Sequence, residues 1–383
     1  MESYNPEIQN IGILIGGGSG VLLSKIFREV LSAIVEKHLG YKAINFLLPP
    51  SPDYKFSSYK DISQYHDTRV RSQQEAQKLV ETYETWHKLG VKAVFRTSVN
   101  AEALYLFRSE LKGFKEFGID TDKGSRIQVV RDMAEGFYAN SHYQIEPSQV
   151  TFEGAYSRER LHAILKYVID LGEKKADNAR FSNADNFKIW LVYKFHLFSG
   201  IFDKWLEEFF ELNQEKAPWR ERITLFQPDT GFTELFKFAR DRKGEYLLVA
   251  CSNEVGDLLY EPLIESIEGI ADKLILYSIS RFFPPNYELC EFQTVHGSAD
   301  DKTGIGLDSS KILPYATLRI AAAIAELYFN VFDCRRKMDE ITAKTILFFY
   351  DRKLPDEEPF TAEIMKKVTE LLFKYELINK INL

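Results

Sequence analysis

An alternation constrains this chain more than any other feature. Short apolar runs at Ile11–Ile15, Val91–Phe95, Gln128–Val130, Ile189–Tyr193 and Tyr246–Cys251 read as strands, with helix-patterned stretches between them. Strands that return in parallel need crossovers of about a dozen residues or more, usually helical. This order therefore predicts an α/β protein around a central, largely parallel sheet. The N-terminal repeat of the pattern is the clearest. Gly16-Gly17-Gly18-Ser19-Gly20 follows the first strand, and Leu22, Leu23, Ile26, Phe27, Val30, Leu31 and Ile34 then make one broad helical stripe that stops at Gly40. The polar-aromatic segments Pro49–His66 and Ala176–Asn186 read as loops. At about 150 residues per domain, a chain of this length predicts two or three domains. No shift in composition marks a linker, as expected for domains made of discontinuous segments.

Charge and motif content narrow the chemistry. The 49 Lys and Arg residues face 56 Asp and Glu, a net charge of −7 with the signs interspersed. Such a surface lacks the concentrated basic face that nucleic acid or an anionic membrane requires. Cys251, Cys290 and Cys334 form no CxxC pair, which argues against a disulfide framework and a zinc knuckle. No apolar run approaches the roughly 18 residues of a spanning helix, and the start MESYNPEIQN is acidic and polar, so a cytoplasmic protein is expected. The glycine turn is not a dinucleotide fingerprint, which would need glycine at Val21 or Leu23, nor is it a phosphate-binding P-loop. It is either a flexible strand-to-helix turn or a place where a ligand approaches the backbone.

Further along, a series of segments resembles one family in order. Val295-His296-Gly297-Ser298-Ala299-Asp300-Asp301-Lys302-Thr303-Gly304 is similar to "VHGSAPDIAG" of the isocitrate/isopropylmalate dehydrogenases, enzymes that oxidise and decarboxylate 2-hydroxy acids. Val130–Tyr138 resembles "VRENTEGEY", Tyr156-Ser157-Arg158 the start of the "RYSKPE" helix, and Val192-Tyr193-Lys194 the strand that ends in the catalytic lysine. Asp229 stands at the first acid of "DNAAMQL", Asn253–Glu261 follows "NIFGDILSD", and Leu313–Thr317 resembles "NPIAT". The chain is on these grounds identified as a divergent member. The resemblance implies a two-domain fold with a central mixed, largely parallel sheet flanked by helices and the site in the cleft. One domain would combine residues 1–115 with 268–383. The other, 116–267, would carry most catalytic residues and the contacts of a homodimer.

The same resemblance assigns roles, and the residue chemistry is compatible with them. Asp257 and Glu261 are four apart on one helix face, where like charges repel unless a cation lies between them. With Asp229 they would form an oxygen-only site for Mg²⁺ or Mn²⁺; alternatively Asp257 complements a helix dipole and Asp229 caps a helix. Lys194, ending an apolar strand, is the expected base for the substrate hydroxyl, and Tyr156 the expected proton donor to the enolate. Lys194 and Asp229 would serve the partner protomer. Arg131 and Arg108 are the expected carboxylate-binding forks, helped by Ser98 and Asn100. His296, Gly297, Ser298, Ala299, Asp301 and Gly304 would form the cofactor loop. An acid at Asp301 favours NAD over NADP, because it repels a 2′-phosphate.

Four departures set the substrate apart. Gly118 stands where the family carries a second substrate arginine, leaving Lys115, Lys123 or Arg126 as replacements. The acids of "GDGIGPE" are missing from the glycine turn, Glu261 replaces an aspartate, and Leu313 an asparagine. The expected protein is a divergent NAD-linked dehydrogenase of a 2-hydroxy acid, in a specialised biosynthetic pathway. The alternative is an inactive relative that binds nucleotide or hydroxy acid and regulates a partner subunit.

Overall fold

The computed structural model describes residues 8–50, 56, 68–121, 123–138, 143–146, 148–176, 187–265, 277–294, 304, 306–350 and 359–381. The chain divides into two compact units: Met1–Leu104 with Ile270–Ile279 and Glu288–Leu383, and Tyr105–Gly269 with Ser280–Tyr287. Both are α/β, with mostly parallel strands between helices.

In the first unit the strands run β2 (Ile44–Leu47), β1 (Gln9–Leu14), β3 (Ala93–Arg96), β12 (Leu289–Thr294), each parallel to its neighbour. Helix α1 (Gly20–Leu39) buries the whole stripe from Leu22 to Ile34, and Gly40 ends it in the left-handed region at φ 79° with its N–H on Glu36 O. It packs against α8 (Tyr315–Phe329), where Ala321–Ala323 and Ala325 let the two backbones approach. Helices α2 (Thr68–Lys88), α9 (Cys334–Tyr350) and α10 (Thr361–Lys374) complete this unit. The glycine turn has a packing reason. A Cβ on Gly16 would collide with the carbonyl of Ser98, and one on Gly20 would meet Thr97 Oγ1 at 2.6 Å, while Gly16 N–H donates to Thr97 Oγ1 at 2.8 Å. The chain's own β3 loop takes up the close approach at Gly16 and Gly20.

The second unit is ordered β4 (Phe114–Asp120), β5 (Arg126–Asp132), β10 (Tyr246–Cys251), β8 (Phe187–Val192), β9 (Ile223–Phe226). All pairs are parallel except β4 with β5. Helices α4 (Arg158–Ala176), α5 (Ile201–Leu212), α6 (Pro228–Asp241) and α7 (Asn253–Glu265) flank it, and β6 (Tyr143–Glu146) and β7 (Gln149–Phe152) form a separate hairpin. β10 is buried at every position, as a central parallel strand must be. Phe187 stacks on Tyr246 at 5.0 Å between centroids, and Leu161, Ile164, Leu165, Val168 and Ile169 of α4 join the same core. The division between units runs through α3 (Ala101–Glu110) and β11 (Tyr277–Phe282). Among the described residues no helix is long and apolar enough to cross a membrane.

Candidate active site

The second unit places its chemistry at one edge of the sheet. Register aligns Arg131 of β5 with Cys251 of β10, Cys251 with Val192 of β8, and Val192 with Phe226 of β9. These are the carboxyl ends of four parallel strands, the edge at which open α/β sheets bind ligands. Asp132, Ser252 to Asp257, Lys194 and Asp229 all fall at or just beyond this row. The antiparallel β4 adds Lys115 directly opposite Arg131, on the same face. Gly118 lies three residues further down β4, about 10 Å away at ~3.4 Å per residue. Of the three replacements for a second arginine, only Lys115 is therefore at the edge. The Arg126 guanidinium covers Gly118, where a Cβ would meet Nη2 at 2.5 Å, and bonds Asp120 at 2.6 Å. Both Arg126 and Lys123 belong to the opposite end of β5.

Arg131 is buried, and two of its three guanidinium nitrogens are taken up by its own chain. Nε donates to Asn253 Oδ1 at 2.8 Å and Nη1 to Asp257, while Nη2 is buried with no acceptor among the described residues. Asn253 Nδ2 is likewise buried with no acceptor among the described residues. Gly256 allows this arrangement, because a Cβ there would sit 2.7 Å from Arg131 Cγ and push α7 away from the arginine stem. Asp257 keeps 44% of its side chain exposed.

Tyr156 precedes α4, and its phenol donates to Glu254 Oε1. Ser252 Oγ donates to the same oxygen at 2.6 Å, while Glu254 Oε2 is buried with no donor among the described residues. Burial, and next the Glu254 carboxylate it bonds, raise the Tyr156 pKa far above the ordinary phenol value, so the group is neutral at any physiological pH. Gly136 closes the other side. Its φ of +95° suits glycine, and a Cβ there would lie 2.5 Å from Glu254 Oε2 and 3.3 Å from Tyr156 Oη.

A buried ion pair holds this wall in place. Arg160, in the first turn of α4, donates from Nε to Asp132 Oδ1 at 2.8 Å, and its Nη atoms bond the carbonyls of Lys112 and Gly113 at 3.0 and 2.7 Å. Ser157 caps α4 by accepting from Arg160 N–H at 3.2 Å, and Glu135 accepts from Ser157 N–H and Oγ at 2.7 and 2.5 Å.

The other expected site residues are distributed as follows. Lys194 is exposed, two residues past β8. Asp229 is exposed in the first turn of α6, where Gln227 is the N-cap and Pro228 the first helical residue; its Oδ1 accepts from Thr230 N–H at 2.9 Å. Neighbouring strands are ~4.8 Å apart, so the Val192 and Phe226 positions lie about 10 and 14 Å from Arg131 along the edge. Among the described residues no three His, Cys, Asp or Glu side chains gather as a metal site. Glu261 is on α7, and its side chain lies outside the described residues, as do His296, Gly297, Ser298, Ala299 and Asp301. Gly304 is packed where a Cβ would strike the Ser309 carbonyl, and its N–H donates to Ser310 Oγ at 3.0 Å. In the first unit Asn100 is internally committed: Nδ2 donates to Ser72 Oγ at 2.7 Å, and Oδ1 accepts from Glu102 N–H at 3.2 Å at the start of α3. Ser98 is half-buried, and Arg108 is buried in the last turn of α3.

The sequence motifs assign no role to Glu254, Asn253, Ser252, Gly136, Asp132 or Arg160. One signal was present. Glu254 occupies the second position of the "NIFGDILSD" segment, where the family has an apolar residue, and a carboxylate there needs a partner.

Comparison with known proteins agrees with the architecture. No protein-family model matches the sequence, and no curated protein matches it significantly. Solved structures do. An isocitrate dehydrogenase from Methylococcus capsulatus superposes with a TM-score of 0.59 at 15% identity, over 95% of this chain and 99% of that one. The TT0538 protein from Thermus thermophilus gives 0.64 at 17% identity, over 95% of this chain and 68% of its own. This is a two-unit α/β protein with its polar chemistry at the carboxyl edge of a mostly parallel sheet. Over nearly its whole length it has the isocitrate dehydrogenase fold.

Proposed function

We propose that the chain is a divergent dehydrogenase of the isocitrate/isopropylmalate type, oxidising and decarboxylating a 2-hydroxy acid as a homodimer. One observation supports this reading: Arg131 bonds Asp257, and Tyr156 bonds Glu254 one turn earlier on the same helix α7, with one buried guanidinium nitrogen left over among the described residues. That Nη2 gives one charge-assisted donor for a substrate carboxylate, with Lys115 across the strand pair as a second cation. Tyr156 and Lys194 are the proton-transferring side chains. Because Lys194 and Asp229 stand two and three strands from Arg131, they serve the site of a second copy. The donor set fits a hard divalent cation, being carboxylate only: Asp257 and Glu261 of one copy and Asp229 of the other. Mg²⁺ or Mn²⁺ bound by these acids would supply Lewis-acid polarisation of the substrate's hydroxyl and carboxylate oxygens, and the His296–Asp301 segment would hold NAD as the hydride acceptor.

The test is NADH formation with Mn²⁺ across malate, tartrate, isocitrate, homoisocitrate, isopropylmalate and monocarboxylic 2-hydroxy acids, with NADP⁺ in parallel and Lys194→Ala as control. Turnover abolished by the control supports the reading, and the best substrate reports what Lys115 replaces. A second reading, a non-catalytic nucleotide- or hydroxy-acid-binding subunit, is favoured by the two Arg131 nitrogens already bonded within the chain. Ligand-induced thermal stabilisation with a blank turnover panel would select it.

A further inference from the structure

Asn253 opens α7, where a short polar side chain commonly caps the helix, but its side chain is used otherwise. Gly256 N–H bonds the carbonyl of Ser252 at 2.9 Å, which makes Ser252 the cap residue, and Asn253 Oδ1 instead accepts from Arg131 Nε at 2.8 Å. That bond fixes which way round the amide lies, because Nδ2 in the place of Oδ1 would set one donor against another. The guanidinium is fixed as well. Nη1 donates to Asp257, the Tyr105 ring lies 5.9 Å from Cζ, and the Gly256 backbone packs on the arginine stem. In a planar guanidinium one N–H of Nη2 runs parallel to Nε–H, so it points to the side on which the Asn253 amide lies. Asn253 is fully buried and Arg131 nearly so, and neither Nδ2 nor Nη2 has an acceptor among the described residues. Two buried donors on one side of a fixed pair are costly unless something else supplies the acceptor. Asp257, on the same guanidinium, keeps 44% of its side chain exposed, so that flank is open to solvent.

We propose that Asn253 is a substrate-binding residue: its Nδ2 and Arg131 Nη2 form a two-donor cradle for one carboxylate of the 2-hydroxy acid. This rests on the dehydrogenase reading above, which gives that carboxylate to Arg131 and Lys115, and it adds a neutral donor that no motif singled out. A carboxylate suits the cradle because it accepts at both oxygens and carries no proton to set against an N–H. The carboxamide of the same acid has one acceptor oxygen in place of two, so a donor of the cradle goes unmet. Arg131 supplies charge, part of which Asp257 already takes up, and Asn253 supplies direction without charge. Both donors are held before the ligand arrives, so little ordering cost remains to be met on binding. This end of the substrate is therefore read as an ionised acid, and its amide is rejected.

Asn253→Asp tests this, because it keeps an acceptor on Arg131 Nε and replaces only the left-over donor by a second acceptor. Titration calorimetry with Mn²⁺ present would compare malate, isocitrate and the two monoamides of malate on wild type and variant. Wild type should bind malate at least about tenfold more tightly than the monoamide that lacks the cradled carboxylate. The variant should lose about 30-fold or more in affinity for the acids, and its preference for acid over amide should shrink or reverse. If Asn253 serves only to position Arg131, the variant binds the acids within about threefold of wild type, and the cradle is overturned. The same result is expected if the two nitrogens hold only a water, which turns its hydrogens to suit an aspartate. A second readout needs no variant. In wild type labelled with ¹⁵N-asparagine, the Asn253 Nδ2H₂ signal, assigned through its backbone, should shift and exchange more slowly with solvent on adding malate but not its diamide. An unmoved signal, or no binding of any acid, overturns the cradle. Acid binding that depends on Asn253 but yields no NADH would leave the cradle standing and sink the dehydrogenase reading. Turnover with kcat/KM unchanged in Asn253→Asp would sink the cradle alone.

Discussion

Arg160→Met should destabilise the protein by about 4–6 kcal/mol. The guanidinium is almost fully buried, bonds Asp132 through Nε and Nη2, and carries the carbonyls of Lys112 and Gly113. Methionine fills most of the stem, so little of the cost comes from a cavity. The main cost is the Asp132 carboxylate, left buried with one remaining donor, Ala134 N–H at 2.8 Å. Removing one partner of a buried ion pair costs about 3–5 kcal/mol, and the orphaned Lys112 carbonyl adds about 1 kcal/mol. Against a typical total of about 5–15 kcal/mol this is a large fraction, measurable by urea unfolding followed by tryptophan fluorescence. Adding Asp132→Asn, which removes the unpaired charge at constant shape, should recover at least about 2 kcal/mol. Because Arg160 lies four residues after Tyr156 at the start of α4, turnover should fall with stability. A cost under about 1 kcal/mol, or a double variant no better than the sum of the two singles, would refute the idea that Arg160 neutralises Asp132 in a dry site.

The remaining expectations concern the same wall. Gly136→Ala should cost roughly 1–3 kcal/mol in chemical denaturation, since its φ of +95° and the 2.5 Å approach to Glu254 Oε2 both exclude a Cβ; unchanged stability would mean the loop re-routes freely. Lys194→Ala should stay within about 0.5 kcal/mol of wild type, because the side chain is exposed, yet lose about 10²-fold or more in turnover; an active variant removes Lys194 from the reaction. Burial, outweighing its bonds from Ser157, raises the Glu135 pKa above 4.5, so the folded state binds that proton more tightly than the unfolded chain. Its stabilising contribution is complete below 4.5 and is lost as pH rises through the raised folded value. Glu135→Gln should therefore gain stability relative to wild type as pH rises above 4.5, and a difference that stays flat would remove the burial effect.

Local pattern alone located part of this molecule. The stripe from Leu22 to Ile34 and the apolar runs of β8 and β10 carry their structure in periodicity, because each buries a face whatever its neighbours are. Motif order also singled out Arg131 and Asp257, which bond each other, and Tyr156, which bonds Glu254 on the helix that carries Asp257. It passed over strands whose middles are charged. β4 has Glu116 at its centre, bonded by Gln128, Tyr167 and Arg281, and β12 has the fully buried Glu291, held by Arg96 and Tyr83. No sequence window contains the partners that make such residues compatible with a core, since they come from 12 to 208 positions away. Position at the edge was hidden for the same reason. Only the β4–β5 register sets Lys115 across from Arg131 and moves Gly118 out of reach. Only the close approach of α7 to the loop at Gly136 turns an unremarked Glu254 into the partner of Tyr156. Hydrophobic periodicity belongs to neighbouring residues and is written in the chain itself. The pairing of buried charges belongs to distant residues, and it exists only once the chain has folded.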